Sequence, residues 1–430
     1  MKINYLKQAW ASLRQQPVVS IVSVIGTALA IFLIMVVVMI DELKTAPFAP
    51  ESNRDRWLVQ KWGSITNESW GADNSSNGPL GYNTIKQVLY RMETPEAVAA
   101  FSCNPGTVSV SVVNQPAFGG IQLETDEGFW KVFDFTFIEG KPYTKEDFDA
   151  GLTKAVITES LARKLFQTTD VAGREFSINH APYTVCGVIE DVSNLVSYCY
   201  ADLWVPFTST NKANYSWCEY MGGLSMIMLA KDKSDFPKIR EEHKRLFDEL
   251  NKEAAAKGYK FLDMERPYTQ EVAAYTPWAN MAPDMASVYK QKFITFLILL
   301  IVPAVNLSSM THSRLVRRRE EIGVRRAFGA KRSEIIMNLF MESLVITVIA
   351  GLIGLGLSLL CGLLFADSVF TPSIYSDNYT VTSISVSTLF HWSTFGWAML
   401  FCFILNLLSA ALPSINASKV NIVNAISGKH

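Results

Sequence analysis

Charged residues are missing from four long stretches of this 430-residue chain. The four stretches are Gln15–Ile40, Phe293–Ser313, Ser343–Ala366 and Asn378–Ser418. Each is at least as long as the roughly 20 residues that a membrane-spanning helix needs. Such long gaps in charge argue against a wholly water-soluble protein. We therefore predict four transmembrane helices, at residues 18–40, 291–312, 334–365 and 391–412.

A nucleotide-binding P-loop is also missing. That loop needs Gly-Lys followed by Ser or Thr, so that backbone amides, an ammonium and a hydroxyl surround phosphate and magnesium. The Gly-Lys pairs here are Gly140-Lys141, followed by Pro, and Gly428-Lys429, followed by His. No Ser-His-Asp set, paired-carboxylate motif or metal-ligand spacing stands out. We predict a non-catalytic chain with no cofactor or metal of its own, and a net charge of −1 gives no reason to expect nucleic acid.

Cysteine is scarce, with six residues in the chain. Two lie in predicted spans, and four lie between the first and second spans: Cys103, Cys186, Cys199 and Cys218. In an oxidising compartment these four could form two disulfides, and Cys199–Cys218 is the favoured pair. Cys186 sits in an apolar strand pattern, where burial as a free thiol is the alternative. The sequence leaves the disulfide state open.

A concentrated basic segment lies between the second and third predicted spans. From Arg314 to Arg332 there are eight basic and two acidic residues, and no Lys or Arg follows from Ser333 to Ser418. Basic residues beside membrane spans mark the cytoplasmic side. The pattern predicts that both termini, including the tail 413–430, and the loop 313–333 are cytoplasmic. Residues 41–290 and the loop 366–390 then face outward.

Within this basic segment the residue order predicts a short amphipathic helix closed by a glycine turn. A short helix fixed between two membrane helices transmits a displacement better than a flexible loop, which absorbs motion. We therefore predict a docking segment for a cytoplasmic partner. Its residues are Arg317, Arg318, Arg319, Glu320, Glu321, Ile322, Gly323, Arg325, Arg326, Ala327, Phe328, Gly329, Ala330 and Lys331. Anchoring of anionic headgroups is the alternative, but it explains only the charge.

The start of the chain predicts an interfacial helix over residues 1–17. Ile3, Leu6, Trp10 and Leu13 fall on one helical face, as in helices that lie on a membrane surface. An ordinary frayed terminus is the alternative. The apolar run that follows is longer than the 7–15 residues of a signal-peptide core, and no good cleavage site follows it. We predict a retained span.

The fold class predicted is a membrane protein with four transmembrane α-helices and one large α+β domain at residues 41–290. That insertion is long enough for its own core. Strand and helix patterns at 50–125 and 205–270 predict an α/β lobe built from two βαβ-type halves. Shorter strands at 126–204 predict a β-rich lobe inserted into the first. Predicted helices include Tyr82–Met92, Glu159–Phe166 and Asp235–Ala256.

The third predicted span has a stripe of small residues. Ala350, Gly354, Ser358 and Gly362 recur every four residues and share one helical face. In lipid such a stripe lets two helices approach closely. The spacing leaves open whether the partner is the second helix or another copy of the chain. The alternative is that this helix merely tolerates glycine and that the stripe has no packing role.

Glu342 is an ionisable residue beside the apolar part of this span. Carboxylates in membrane helices are costly and often functional, for example in proton relays. Because Glu342 lies only two or three turns beyond Arg332, we favour an interfacial structural partner for a nearby basic group over a proton path.

Two patterns carry a resemblance to a known family. One runs from Ala155 to Val188 and contains Ala-Val-Ile-Thr-Glu-Ser-Leu-Ala and Tyr-Thr-Val-Cys-Gly-Val. The other runs from Asn306 to Gly354 and contains Glu-Ile-Gly-Val-Arg-Arg-Ala-Phe-Gly-Ala. Both resemble the MacB/FtsX family of ABC transporter permeases, and the likeness runs nearly end to end. The fused ATPase domain of some members has no counterpart in this sequence.

The resemblance implies a bacterial cytoplasmic (inner) membrane protein with a periplasmic domain made of a porter-like and a β-rich lobe. It implies a homodimer or a heterodimer with a related permease, and a cytoplasmic ABC ATPase subunit that holds ATP and Mg²⁺. In the family, ATPase motion is passed to the periplasmic domain, a mode called mechanotransmission.

The resemblance leaves two functions open. One is export of a hydrophobic, peptide or lipid-linked substrate, with a periplasmic adaptor and outer-membrane channel. The other is activation of a periplasmic cell-wall hydrolase without transport. Export predicts a groove or central cavity between paired domains, whereas activation predicts an exposed apolar docking patch on the periplasmic lobe. The aromatic stretches Phe129–Phe137 and Tyr215–Tyr220 could furnish either surface. A plain membrane-anchored binding protein would leave the basic segment unexplained.

Overall fold

The structure is a computed structural model. It describes residues 10–11, 14–15, 17–71, 74–210, 212, 216, 218–299, 301, 324, 327–329, 331–370, 395–397, 399–400 and 403–404. Predictions for most of residues 1–17, for most of the loop 366–390, for the tail 413–430 and for most of the docking segment fall outside these residues. The described residues form two compact units. The membrane unit lies within Met1–Asp41, Ala286–Val369 and Ile384–His430, and the large domain contains Glu42–Met285.

The helices and strands of the described residues have the following bounds. The helices are α1 (Pro17–Thr45), α2 (Tyr82–Gln87), α3 (Phe129–Val132), α4 (Lys145–Asp149), α5 (Glu159–Phe166), α6 (Phe236–Ala255), α7 (Gln270–Ala274), α8 (residues 285–299) and α9 (Arg332–Phe370). The strands are β1 (Trp57–Gln60), β2 (Gly63–Asn67), β3 (Ser75–Gly78), β4 (Ala97–Ser102), β5 (Gly106–Ser111), β6 (Phe118–Thr125), β7 (Phe137–Gly140), β8 (Lys154–Thr158), β9 (Glu175–Ile178), β10 (Ala181–Ile189), β11 (Leu203–Pro206), β12 (Leu224–Leu229), β13 (Tyr259–Phe261) and β14 (Tyr268–Thr269).

One lobe of the large domain interleaves two βαβ units. Its strands lie in the order β4–β12–β1–β14, and the pairs β4–β12, β12–β1 and β1–β14 are all antiparallel. Because β1–α2–β4 and β12–α6–β14 each cross over one strand, this is the ferredoxin-like arrangement. Two βαβ units are thus observed, but their second strands are β4 and β14, whereas the sequence predicted Val108–Val113 and Tyr259–Glu265 in these places. Strand β12 is buried along its whole length, as a central strand of apolar composition should be.

The second lobe is a closed β-barrel. Its ring of strands runs β5–β6–β11–β8–β10–β9 and returns to β5. Closure leaves these strands without free edges, which limits edge-to-edge association. The barrel begins at β5, about 20 residues before the boundary predicted at residue 126. That prediction is wrong because β5 and β6 resemble the strands of the first lobe in sequence, and only their pairing assigns them to the barrel.

Local sequence explains helix α5, which has the bounds that the sequence predicts. The Thr158 hydroxyl accepts a hydrogen bond from the Leu161 backbone N–H at 3.3 Å, which caps the first turn. Gln167 adopts a left-handed conformation and ends the helix. Leu161, Ala162 and Leu165 are buried with the barrel strands, so one face of α5 completes the barrel core.

The ferredoxin-like sheet separates two apolar clusters because successive strand residues point to opposite faces. On one face, Met226 and Met228 pack with the buried sides of α2 and α6. On the other face, Ile227 and Leu229 pack with aromatic residues of the segment after β6. In that segment Phe129 and Phe133 are fully buried, and Tyr220 is buried on the helix-covered face. These rings are core and do not form the exposed surface that the sequence allowed.

The cysteines of the large domain are free thiols, so the Cys199–Cys218 disulfide is absent. Cys199 lies in the aromatic cluster, whereas Cys218 lies in the cluster beneath α2 and α6. The sheet therefore stands between the two sulfur atoms, which explains why the favoured pairing is wrong. Burial also raises the pKa of the Cys186 thiol to about 12, so this thiol stays protonated and unreactive.

The membrane unit contains two helices that are long and apolar enough to cross a membrane within the described part of the chain. They are α1 and residues Phe340–Leu364 of α9, with mean hydropathies of 2.9 and 2.6. Helix α8 leads towards the second predicted span, and residues 395–397 and 399–400 are helical within the fourth. The count of four spans stays a prediction.

Candidate functional site

The described end of the docking segment is one helical turn closed by a glycine. The Phe328 backbone N–H donates to the Val324 carbonyl at 3.1 Å, and Gly329 has a φ of +92°, which glycine adopts without strain. The glycine turn predicted here is therefore observed. Helix α9 follows at once, and the Lys331 backbone N–H donates to the Glu334 carboxylate at 3.1 Å, as in a capping box. The segment thus joins α9 through a short, capped connection.

Phe328 projects from this turn with 89% of its surface exposed. Val324, one turn earlier, is also exposed. Large aromatic side chains are the usual anchors of protein–protein contacts. The remaining predicted docking residues, namely Arg317–Gly323, Arg325, Arg326 and Ala330, lie outside the described residues, so their role stays a prediction.

Gly354, within the small-residue stripe of α9, packs against α1. Ala350, Gly354, Ser358 and Gly362 are all buried. A Cβ added at Gly354 would lie 2.7 Å from the Ala28 carbonyl oxygen and 3.0 Å from Ile31 Cβ. Sequence reasoning proposed the second helix or another copy as the partner of this stripe. For Gly354 both alternatives are wrong, because this residue contacts the first helix.

Three hydroxyl groups in these two helices bond within their own helix. Ser23 donates to the Val19 carbonyl at 2.8 Å, Thr347 to the Ser343 carbonyl at 2.9 Å, and Ser358 to the Leu355 carbonyl at 2.8 Å. Such back-bonding satisfies a hydroxyl in an apolar medium. The contact at Gly354 is therefore one of close packing, in which dispersion contacts hold the helices together.

An apolar cluster joins residues from all four predicted membrane segments. Ile31, Ile34 and Met35 of α1 are buried at its centre. Packed against them are Phe296 and Leu299 of α8, Leu355 of α9, and Phe395 and Met399. An ion pair between Lys292 and Asp41, with nitrogen and oxygen 2.8 Å apart, also links α8 to α1. Helix α1 thus contacts the other described helices of the unit.

Glu342 is buried, with 3% of its surface exposed. A buried carboxylate needs polar or charged partners to offset the loss of hydration. The interfacial structural role of Glu342 and the identity of its basic partner stay predictions.

The large domain also holds an open cavity of about 560 Å³ beside α6 and β13. Its lining includes Gln60, His243, Phe247, Phe261, Arg266 and Tyr268. At its floor His243 Nε2 lies 2.7 Å from Gln60 Oε1. Burial lowers the pKa of His243 to about 3, so the ring is neutral at physiological pH. Sequence reasoning missed this pair, because His243 falls in a charged helix and its burial depends on the sheet beneath.

We expect His243 to make the large domain acid-sensitive. Its folded pKa is below its ordinary value of 6.5, so only the unfolded chain takes up a proton as the pH falls from 6.5 towards 3. Stability is then lost by about 1.4 kcal/mol per pH unit in that window. Urea unfolding of the full-length protein at pH 6.5 and 5.0 measures the slope. His243→Gln should flatten it, the exposed His180→Gln should not, and an unchanged slope in His243→Gln would contradict the expectation.

These features define a membrane protein whose helices carry one large extramembrane domain of two lobes. The comparisons with known proteins give the family. Residues 20–246 match the model of the MacB-like periplasmic core domain, and residues 293–422 match the FtsX-like permease C-terminal model. The chain belongs to the MacB/FtsX family of ABC transporter permeases.

Individual relatives are distant but extend over the chain. The ABC transporter permease YknZ of Bacillus subtilis is 23% identical over 438 residues, covering 99% of this chain and 98% of its own. The macrolide export ATP-binding/permease protein MacB of Pasteurella multocida is 23% identical over 315 residues, which cover 73% of this chain but 43% of that protein. The extracellular domain of a YknZ transporter matches with 15% identity, covering 47% of this chain and all of that domain, at a TM-score of 0.33.

Proposed function

We propose that this chain is the permease subunit of an ABC-type complex in a bacterial cytoplasmic membrane. A partner ATPase would bind the docking segment, and its motion would be passed through the membrane helices to the large domain on the periplasmic side. Support comes first from the likeness to ABC permeases along nearly the whole chain. The observation that carries the docking role is the exposed Phe328 on a turn joined directly to α9.

Helix contacts described above give a physical route for this motion. A displacement of the turn at Phe328–Gly329 would move α9, because only Ala330 and Lys331 separate the two. Close packing at Gly354 would pass the displacement to α1. Helix α1 runs without a break to Thr45, and the large domain begins within its last turn, at Glu42. Rigid elements in contact transmit displacement, whereas flexible loops absorb it.

We propose export as the task, with activation of a hydrolase as the alternative. Phe129, Phe133 and Tyr220, three of the aromatic residues that were candidates for an apolar docking patch, are core. The cavity of about 560 Å³ lies within one large domain, so a cavity between paired domains stays a prediction. A relative is named for macrolide export. The proposed cargo is a hydrophobic, peptide or lipid-linked molecule. A pair of permeases, an adaptor and an outer-membrane channel would complete the complex, and ATP and Mg²⁺ would be held by the ATPase.

The docking role predicts that Phe328→Asp releases the ATPase. A buried aromatic anchor is worth at least about 2 kcal/mol, which is about 30-fold in affinity. The tagged full-length chain would be purified from its native host in mild detergent, and co-purified ATP hydrolysis would be measured. Val113→Asp is the matched control, since Val113 is 82% exposed but lies in the large domain.

The results for Phe328→Asp and its control distinguish ATPase docking from headgroup anchoring as the role of this segment. Phe328→Asp should lose the ATPase while Val113→Asp retains it. Reversal of charge at Arg325 and Arg326 should have the same effect as Phe328→Asp. Stoichiometric co-purification of the ATPase with both docking variants would contradict the assignment of this segment as the docking site.

A further inference from the structure

The end of α1 is held by side chains from distant parts of the large domain. A helix leaves its last carbonyl groups without partners inside the helix. Here the Arg54 guanidinium donates through Nη1 to the Leu43 carbonyl at 2.7 Å and to the Ala46 carbonyl at 3.0 Å. The Gln270 side-chain amide donates to the Lys44 carbonyl at 2.8 Å. The carbonyl groups at the helix end are therefore capped by residues that follow them by 8 to 226 positions.

Arg54 and Glu51 form a fully buried ion pair at this end. Arg54 Nε donates to Glu51 Oε2 at 2.6 Å, and Nη2 lies at the same distance from that oxygen. Nη2 also donates to the Ser197 hydroxyl at 3.0 Å. The guanidinium further lies over the Phe48 ring, 4.2 Å from its centre. Four hydrogen bonds and this ion pair thus engage all three nitrogens of the Arg54 guanidinium, which restricts its position.

Glu51 extends the connection to the barrel. Its second oxygen accepts from the backbone N–H groups of Ser197 at 2.8 Å and Tyr198 at 2.6 Å. These two residues lie just before β11, a strand of the barrel ring. Gln270 adds another segment, because its carbonyl oxygen accepts from Trp57 Nε1 at 3.1 Å and it begins α7. We call Glu51, Arg54, Ser197 and Gln270 the latch.

The latch contains a buried ion pair, which the stability of the fold alone does not require. A buried ion pair contributes little net stability compared with well-packed apolar residues, because desolvation opposes the attraction. What it provides is fixed geometry, since a fork of planar donors accepts few arrangements. Only Ala46–Arg56 separates α1 from β1, and without side-chain bonds this connection would absorb movement.

We propose that the latch is the joint through which movement of α1 reaches the barrel lobe. Arg54 is then a positioning residue that makes the end of α1, the residues before β11 and the start of α7 move as one body. This inference rests on the proposed function, because it presumes that a partner ATPase moves the membrane helices. It adds the place where the large domain receives that movement.

The test uses the full-length protein with its co-purified ATPase. Hydrogen–deuterium exchange of peptides covering residues 195–206 would be compared without nucleotide and with Mg-ATP plus orthovanadate. In the wild type we expect a nucleotide-dependent change in exchange. Arg54→Lys keeps the charge but offers three donors in place of five. This variant should retain ATPase binding and hydrolysis while losing the nucleotide-dependent change. Arg163→Lys, on the exposed face of α5, is the matched control and should behave like the wild type.

The results distinguish a latch that transmits movement from a latch that is only structural. If the latch were only structural, Arg54→Lys would raise the basal exchange but keep the nucleotide-dependent difference, which would overturn the inference. Ser197→Ala removes one acceptor without exposing a buried charge, so it gives the same readout if Arg54→Lys does not fold. Absence of an ATPase from the wild-type complex would overturn the proposed function and this inference together, whereas the other outcome overturns the inference alone.

Discussion

Gly354→Leu is expected to separate α9 from α1 and to abolish transport. The added Cβ would meet the Ala28 carbonyl oxygen at 2.7 Å, and backbone cannot move aside as a flexible side chain can. Ile31 blocks the other direction at 3.0 Å. Overpacking of this kind costs about 3 kcal/mol or more. For a chain of this size we expect a melting temperature lower by about 3 °C or more in detergent.

Gly356→Leu is the control that isolates packing from helix propensity. Gly356 lies two residues further along the same helix, and a Cβ there meets nothing within 4 Å. Both variants change the helix propensity in the same way. Thermal unfolding of the two purified proteins, together with their amounts in the membrane, provides the comparison. Equal melting temperatures would show that the contact between α9 and α1 is not close in the protein.

Arg54→Met is expected to destabilise the large domain by about 3–5 kcal/mol, because it leaves a buried carboxylate without its charge partner. Glu51 has no exposed side-chain surface, so water cannot replace the guanidinium. The carbonyl groups of Leu43 and Ala46 lose their donors as well. Urea unfolding of the full-length protein, followed by tryptophan fluorescence, gives the free energy of unfolding.

The matched comparison is Arg163→Met in the exposed pair with Glu159. The Arg163 side chain is 59% exposed, and such surface pairs contribute less than about 1 kcal/mol. The double variant Glu51→Leu/Arg54→Met should be more stable than Arg54→Met alone, since no buried charge is left unpaired. A cost below 1 kcal/mol for Arg54→Met would mean that water or another cation reaches Glu51.

The periodicity of apolar residues and the positions of apolar runs were sufficient to predict several local features of the structure. Helix α5 has the bounds predicted from its residues, and α6 differs from its predicted bounds by one residue at each end. The glycine turn at Gly329 also follows from the local order of residues. These features depend on neighbours in sequence, through capping groups, helical spacing and the left-handed preference of glycine.

Features that depend on contacts between distant segments of the chain were harder to predict from the sequence. The stripe at Ala350–Gly362 was recognised, but its spacing is the same whichever helix it meets. Arg54 lies in a polar run, Glu51–Arg56, that resembles a solvated turn, and its burial follows from Ser197 and Gln270, more than 140 positions away. The favoured disulfide failed for the same reason, because sequence proximity did not show which side of the sheet each cysteine faces.

The amino-acid sequence alone determined that the chain enters a membrane, where its basic residues concentrate and where helices α5 and α6 lie. Hydrophobicity and charge act on each segment separately, so they can be assessed without knowing the fold. Tertiary structure decided that β5 and β6 close a barrel, that Gly354 meets α1, and that Arg54 caps a membrane helix. These outcomes depend on close packing and buried hydrogen bonds between segments far apart in the chain, and their energies arise only when the segments meet.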